Sequence, residues 1–433
     1  MIERITSSRF LRNVLIVASG TAGAQIITLA FSPVITRLYG PEAFGLLGTF
    51  LATLAILMPI AALTYPIAIV LPEKDRDARR LAQLSALLAT AISLFVLFLV
   101  LTASGLLTAT FGLKALDGFL LLIPLAMFFA AGRQIFEQLL IRGKQFRPIA
   151  RVAVAQSLTL NIAKTGAGWL LPVGGTLIVL ATAGQALHSL FLLLGVRART
   201  RRGLAEPASI KEPESPIQTE KTLWELARIY SDFPLFRAPQ VMINGLSQGL
   251  PVLMLASFSG PAAAGFYSLG KTVLGAPVLL LGKSVGDVFY PRVVEAVQKK
   301  DPVLPLLLKA TALLAGVGFL PFLLVIAFGP WLFSFVFGAG WEMAGEYARW
   351  LSLWLFFGFL NRPSVMAIQT LGLQHLFLMY EIASVVVRVL ALYTGFVMFE
   401  SDLVAVALFS LAGVILNSFL IGLVMYKSAR PLP

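Results

Sequence analysis

The sequence predicts an all-α polytopic membrane protein of about twelve transmembrane helices, in two six-helix bundles around a central cavity. Three observations carry this. Hydrophobic residues make up 58% of the 433 residues and charged residues 13%, about half the charged share of a soluble domain. Apolar runs of roughly 20 residues, the length that crosses a bilayer, recur along the whole chain. One loop motif occurs twice, at matching places in the two halves. Mean hydropathy is +0.87. Such a chain cannot cover a water-facing surface, which excludes a soluble enzyme, a disordered scaffold and a nucleic-acid-binding domain.

Taken in order, the expected spans are roughly 13–36, 43–71, 81–103, 117–141, 149–171, 174–196, 229–258, 263–289, 303–328, 345–370, 376–398 and 402–426. The first follows Arg4, Arg9 and Arg12. It is longer than a signal-peptide core and lacks a clear small-residue cleavage site, so it reads as a retained helix. The tenth and eleventh must be separate, because their combined length would make one helix more than about 80 Å long. Proline inside several spans (Pro33, Pro59, Pro66, Pro124, Pro251, Pro277, Pro321) is tolerated in membrane helices and marks bends.

Lys and Arg set the orientation. Placing the N-terminus in the cytoplasm puts 23 of them in the segments on that side and only Arg37 and Lys114 on the other. Both termini are therefore expected to be cytoplasmic. The segment 197–228 is rich in proline and charge and reads as a cytoplasmic linker. It divides the chain into halves at 1–196 and 229–433.

The halves echo each other. Gly40-Pro41-Glu42-Ala43-Phe44-Gly45 and Gly260-Pro261-Ala262-Ala263-Ala264-Gly265 both fit G-P-x-A-x-G. A second echo pairs Leu106–Gly112 with Trp331–Gly338, allowing one insertion. Six helices per half is an even number, so the repeats are parallel, related by an axis along the membrane normal.

The remaining nine cations fall within spans: Arg133, Lys164, Arg237, Lys271, Lys283, Lys309, Arg349, Arg362 and Arg388. Beyond the first two residues of a span, only four acids join them: Glu137, Asp232, Asp287 and Glu381. A charge at the bilayer centre costs at least about 2.5–3.5 kcal/mol, so these groups pair or face water. Arg133 with Glu137, and Lys283 with Asp287, are four apart and share a helix face. Glu381 and Arg388 also share one. Lys309, Arg349 and Asp232 lie near enough to helix ends to snorkel. Lys164, Arg237, Lys271 and Arg362 have no acid on their own helix face. The set of Arg133, Lys164, Arg237, Lys271, Lys283, Arg362 and Arg388 predicts a cationic, water-filled lumen that accepts a phosphate, a pyrophosphate or an acidic sugar. Interhelical pairing that only holds the bundle together is the competing reading. Glu137, Asp287 and Glu381 are candidate proton or ion carriers, with simple neutralisation of Arg133, Lys283 and Arg388 as the alternative.

Other chemistry is excluded. The chain has no cysteine and two histidines, so thiolate and His-rich metal sites are ruled out. Gly265–Thr272 fits G-x-x-x-x-G-K-[ST], but it opens a membrane span on the outward side rather than following a buried strand, so no ATP site is expected. The outward loops are too short to house an enzyme's catalytic residues, and no cofactor is implied.

The stretch Arg37-Leu38-Tyr39-Gly40-Pro41-Glu42-Ala43-Phe44-Gly45 resembles the signature of the polysaccharide repeat-unit flippases, the O-antigen and capsule exporters of the multidrug/oligosaccharidyl-lipid/polysaccharide superfamily. Gly265–Leu269 and Phe337–Ala344 resemble that superfamily's eighth-helix start and the loop after its ninth. The resemblance spans the whole chain in helix number, topology and central linker. It implies a bacterial inner-membrane exporter that flips an oligosaccharide repeat unit on undecaprenyl pyrophosphate to the periplasmic leaflet by ion- or proton-coupled alternating access. Implied partners are that lipid-linked anionic oligosaccharide, the bilayer, and the polymerase and chain-length proteins of surface polysaccharide assembly. The two extra helices usual in the sister peptidoglycan-precursor flippases are missing, which counts against lipid II. A drug/cation antiporter of the same superfamily, opposed by the excess of cations, and a non-transporting scaffold remain as alternatives.

Overall fold

Backbone amides in hydrocarbon must be satisfied within their own segment, and this chain does so with α-helix. The computed structural model describes residues 2–111, 114–201, 221–299 and 301–429; the side chains of 2–15, 107, 109–114, 199–201, 279–288, 290–291, 298 and 369 lie outside the description. The described residues contain no strand. The helices are α1 (Ile2–Leu38), α2 (Pro41–Ala61), α3 (Tyr65–Ala68), α4 (Asp75–Phe111), α5 (Leu122–Arg142), α6 (Phe146–Leu170), α7 (Gly174–Arg201), α8 (Leu223–Ile229), α9 (Ala238–Phe258), α10 (Pro261–Lys299), α11 (Leu304–Phe337), α12 (Glu342–Leu360), α13 (Arg362–Thr370), α14 (Gln374–Phe399) and α15 (Asp402–Ser428).

Each of the twelve expected spans corresponds to one long helix, with short helices at the breaks. Among the described residues, eight helices are long and apolar enough to cross a membrane by themselves, and α12 with α13, bent by 42°, makes a ninth. The others, α5, α6 and α10, carry Arg133 with Glu137, Lys164, and Lys271. Their intramembrane charges lower the hydropathy. Lipid-facing stripes are plain elsewhere: Leu94, Phe95, Phe98 and Leu101 of α4 are all exposed, an apolar surface that water would not tolerate.

Three boundaries differ from expectation for local reasons. The second span ends at Ala61, where Leu63 and Thr64 take left-handed backbone (φ 49° and 56°) before α3. The tenth breaks at Asn361 ahead of Pro363, and Gly372 (φ 68°) turns the chain into α14. The expected linker 197–228 is helical at both ends. α7 runs on to Arg201, and a capping box starts α8, Thr222 accepting from the Glu225 amide while the Glu225 carboxylate accepts from the Thr222 amide. Residues 202–220 lie outside the description.

Two compact units emerge: Met1–Tyr39 with Leu46–Leu253, and Gly40–Gly45 with Met254–Pro433. In the first unit α1 lies along α6, and α7 packs against α5 and α6. Phe50 and Leu54 of α2 join Ala89 and Val100 of α4 and Met127 of α5 in one core cluster. In the second, α12 is central, packed by α10, α11 and α15, with Tyr347, Ala348 and Leu351 fully buried.

Candidate functional site

The repeated G-P-x-A-x-G motif is a packing device. Pro41 and Pro261 each stand at the first position of a helix, where a missing N–H costs nothing. Gly260 supplies the left-handed turn before the second (φ 87°). The two glycines four residues on then meet each other's motif. A Cβ on Gly45 would fall on the carbonyl oxygen of Pro261, and one on Gly265 would fall on the carbonyl oxygen of Pro41. The relation is reciprocal. Phe44 and Phe266 both set ring edges against Trp341, at centroid distances of 5.1 and 6.1 Å. Of the other signature residues, Tyr39 is fully buried and donates its hydroxyl to the Lys164 carbonyl (3.0 Å), Gly40 is exposed, and Arg37 is exposed at the end of α1.

The cations behave in three ways. Some are matched by an acid. Arg133 and Glu137 form the expected pair, 3.1 Å apart and partly buried. Arg349, expected to snorkel, instead bonds Glu346 (3.0 Å) one turn earlier and the Ala327 carbonyl (3.1 Å); the i, i+3 spacing was the available signal. Others sit exposed where helices begin. Arg237 donates to Gln240 (2.9 Å) from a π-helical turn, Phe233–Arg237, and Arg362 opens α13. Lys309 and Asp232 are also exposed. The side chains of Lys283 and Asp287 lie outside the described residues.

The third group is half-buried within the bundles. Lys164 lies on the face of α6 that carries Ser157, Asn161 and Gly168, turned toward α1. Along that seam Thr28 and Ser157 share a hydroxyl hydrogen bond (3.1 Å), Ser157 donates to the Ala24 carbonyl (2.8 Å) and Asn161 to the Ser157 carbonyl (2.8 Å). In the second unit the Lys271 ammonium stands 6.0 Å from the Tyr267 ring. The Arg388 guanidinium stands 5.7 Å from Trp354 and 5.8 Å from Phe409, with Nε donating to the Ser384 carbonyl (3.1 Å). Tyr267 packs edge-on to Phe409, and Phe409 to Trp354 (6.4 and 5.0 Å), so one aromatic cluster joins the two cations. Gly413 lets Trp354 lie directly on α15. Glu381, half-buried two turns before Arg388, acts on it electrostatically. Rings orient a cation through their negative faces without cancelling its charge. The arrangement brings two cationic side chains from different helices to one aromatic cluster.

Two features escaped sequence reasoning. The Arg142 guanidinium closes the turn between α3 and α4, bonding Asp75 (2.8 Å) and the carbonyls of Ile69, Val70, Pro72 and Glu73 (3.5, 3.4, 2.5 and 3.1 Å). α8 docks on the same face. Leu226 is buried beside Tyr65, Ile69, Leu81 and Ile135, Tyr65 donates to the Ala227 carbonyl (2.9 Å), and Arg80 donates to the Lys221 carbonyl.

A multi-pass bundle of long apolar helices, several of which carry charged groups within their spans, is the build of a membrane transporter. Solved structures agree on the fold. An inward-facing multidrug resistance MATE family transporter of the MOP superfamily matches with TM-score 0.68 and 14% identity, over 95% of this chain and 94% of that one. The lipid II flippase MurJ, in an inward closed conformation, matches with TM-score 0.69 and 11% identity, over 95% and 87%. A Vibrio cholerae MATE transporter matches with TM-score 0.58 and 15% identity, over 97% and 96%. No curated sequence matches the chain. The model of the polysaccharide biosynthesis protein family matches residues 10–297, and the chain belongs to that family.

Proposed function

We propose that the protein is a flippase for an oligosaccharide repeat unit carried on undecaprenyl pyrophosphate. It moves the head group from the cytoplasmic to the periplasmic leaflet of a bacterial inner membrane, with both termini cytoplasmic and the halves 1–196 and 229–433 providing alternating access. The observation that carries this reading is the convergence of Lys271 and Arg388, from different helices, on one aromatic cluster. A cationic pair held by rings suits a pyrophosphate-linked sugar, since aromatic faces also stack on apolar sugar faces. Lys164 of the first unit and Lys283 of the second are further candidate cations for the substrate. Arg133 takes part through its pair with Glu137, and Arg237 and Arg362, exposed at helix starts, are candidates as well. Glu137, Asp287 and Glu381 carry the coupling ion or proton. The product passes to the polymerase and chain-length proteins of surface polysaccharide assembly. Family membership and the MATE and MurJ fold support the transport class.

Deleting the gene tests the reading. Undecaprenyl-pyrophosphate-linked repeat units accumulate, shielded from reagents added to the periplasmic side. Normal surface polysaccharide in the deletant, with no second copy of the gene, overturns it. Replacing Lys271 and Arg388 by alanine at unchanged protein level reproduces the accumulation; intact export in both variants favours a scaffold.

A further inference from the structure

α8 has two faces with different destinations. Leu226 and Ala227 dock on the first unit, while Trp224 is 78% exposed and Ile229 51% exposed. Three residues, 230–232, separate α8 from the apolar span Phe233–Phe258, so α8 lies at the level of one membrane surface whichever way the chain is oriented. Its outward face runs on into the exposed Leu235 and Phe236 at the start of that span. Lys221 and Arg228 are both exposed beside Trp224, and Arg79 of α4, the helix on which α8 packs, is exposed as well. The one acid of α8, Glu225, is engaged in its own capping box. An outward tryptophan ringed by cations, continuous with a lipid-facing surface, is the pattern of an interfacial anchor.

We propose that this face is a docking site for acidic phospholipid headgroups. Lys221 and Arg228 pair with headgroup phosphates, and Trp224 inserts at headgroup level. The docked helix thereby couples the bilayer surface to the turn between α2 and α3. Tyr65 holds the Ala227 carbonyl (2.9 Å) and Thr64, in left-handed conformation, holds the Phe233 carbonyl (3.0 Å). The site is independent of the transported substrate.

The chain has no cysteine, so Trp224→Cys gives a single labelling position. The full-length variant, labelled with an environment-sensitive fluorophore, is reconstituted into nanodiscs of phosphatidylcholine alone or mixed with phosphatidylglycerol. Doxyl-lipid quenching of the label is expected, together with shielding from iodide that deepens with phosphatidylglycerol. Each cation lost, in Lys221→Gln or Arg228→Gln on the same background, lowers the apparent preference for phosphatidylglycerol about fivefold. All three side chains are exposed, so an unchanged melting temperature checks the fold. A label open to iodide in both lipids overturns the proposal, as does a phosphatidylglycerol effect that survives both cation losses. Shielding from iodide and lipid quencher alike indicates a protein occupant and overturns it too.

Discussion

The glycine crossing gives the most decisive stability test. Gly45→Ala adds one methyl group where the Pro261 carbonyl already stands, and Gly265→Ala does the same against the Pro41 carbonyl. The obstacle in each case is backbone, not the end of a flexible side chain, so α2 and α10 must part. Overpacking of this kind costs about 1–3 kcal/mol. Alanine gains about 0.5–1 kcal/mol over glycine within a helix, which offsets part of that loss. A net loss of up to about 2.5 kcal/mol is expected for either substitution. Gly316→Ala in α11 is the control: its Cβ meets nothing within 4 Å, so only the helix gain remains and the melting temperature rises. The assay is thermal unfolding of the purified full-length protein in detergent. Because both glycines report on one crossing, the double substitution costs less than the sum of the singles. If Gly45→Ala and Gly265→Ala both raise the melting temperature as Gly316→Ala does, the reciprocal contact is wrong.

Arg388→Lys keeps the charge but loses the guanidinium held over Trp354 and Phe409, so export falls by about 2- to 30-fold, toward the loss in Arg388→Ala, as read by surface polysaccharide at matched protein level. Arg142→Ala strands an acid and four carbonyls at the turn between α3 and α4, costs about 2–3 kcal/mol and opens residues 69–75 to limited proteolysis. Thr222→Ala removes the cap of α8, costs about 1 kcal/mol locally and speeds amide exchange across 223–229 while leaving α4 protected. At the exposed end of α10 the hydrogen bond from Lys299 holds the Glu295 carboxyl below its ordinary range; its contribution is present above the unfolded carboxylate pKa and disappears as pH falls, yet full exposure makes it small, so Glu295→Gln leaves the melting temperature at pH 7 unchanged.

Helix number was legible because bilayer thickness fixes segment length and the apolar runs repeat at that length. Even α5, α6 and α10 were recoverable, since their charges interrupt rather than abolish the apolar runs. The Arg133–Glu137 pair was legible from spacing on one helix. Contacts between helices were not: nothing in the sequence places Arg388 of α14 over Trp354 of α12 and Phe409 of α15, because the partners are 34 and 21 residues away. α8 was passed over as linker because its seven residues sit in a charged, proline-rich segment. Its Thr222–Glu225 capping box was nonetheless there to be read. The G-P-x-A-x-G echo was visible as a repeat, but the sequence could not show that its two copies touch.

How each cation is held bears on what it can do. Arg133, Arg142 and Arg349 each lie within 3.1 Å of a carboxylate oxygen, so most of their field is spent on that acid. A ring quadrupole attracts a cation far more weakly than an acid does, at about 0.5–2 kcal/mol, and leaves the net charge in place. Lys271 and Arg388 are placed against rings, and Arg388 also lies in the field of Glu381. On the proposed function, a pyrophosphate head group adds an anionic partner to both. The expectation is therefore ordered: loss of Arg388 or Lys271 impairs export more than loss of Arg133, while Arg133→Ala made together with Glu137→Ala melts higher than Arg133→Ala alone, because removing both partners leaves no uncompensated acid. Equal export loss in the three single variants would refute the distinction between cations placed against rings and the one paired with an acid.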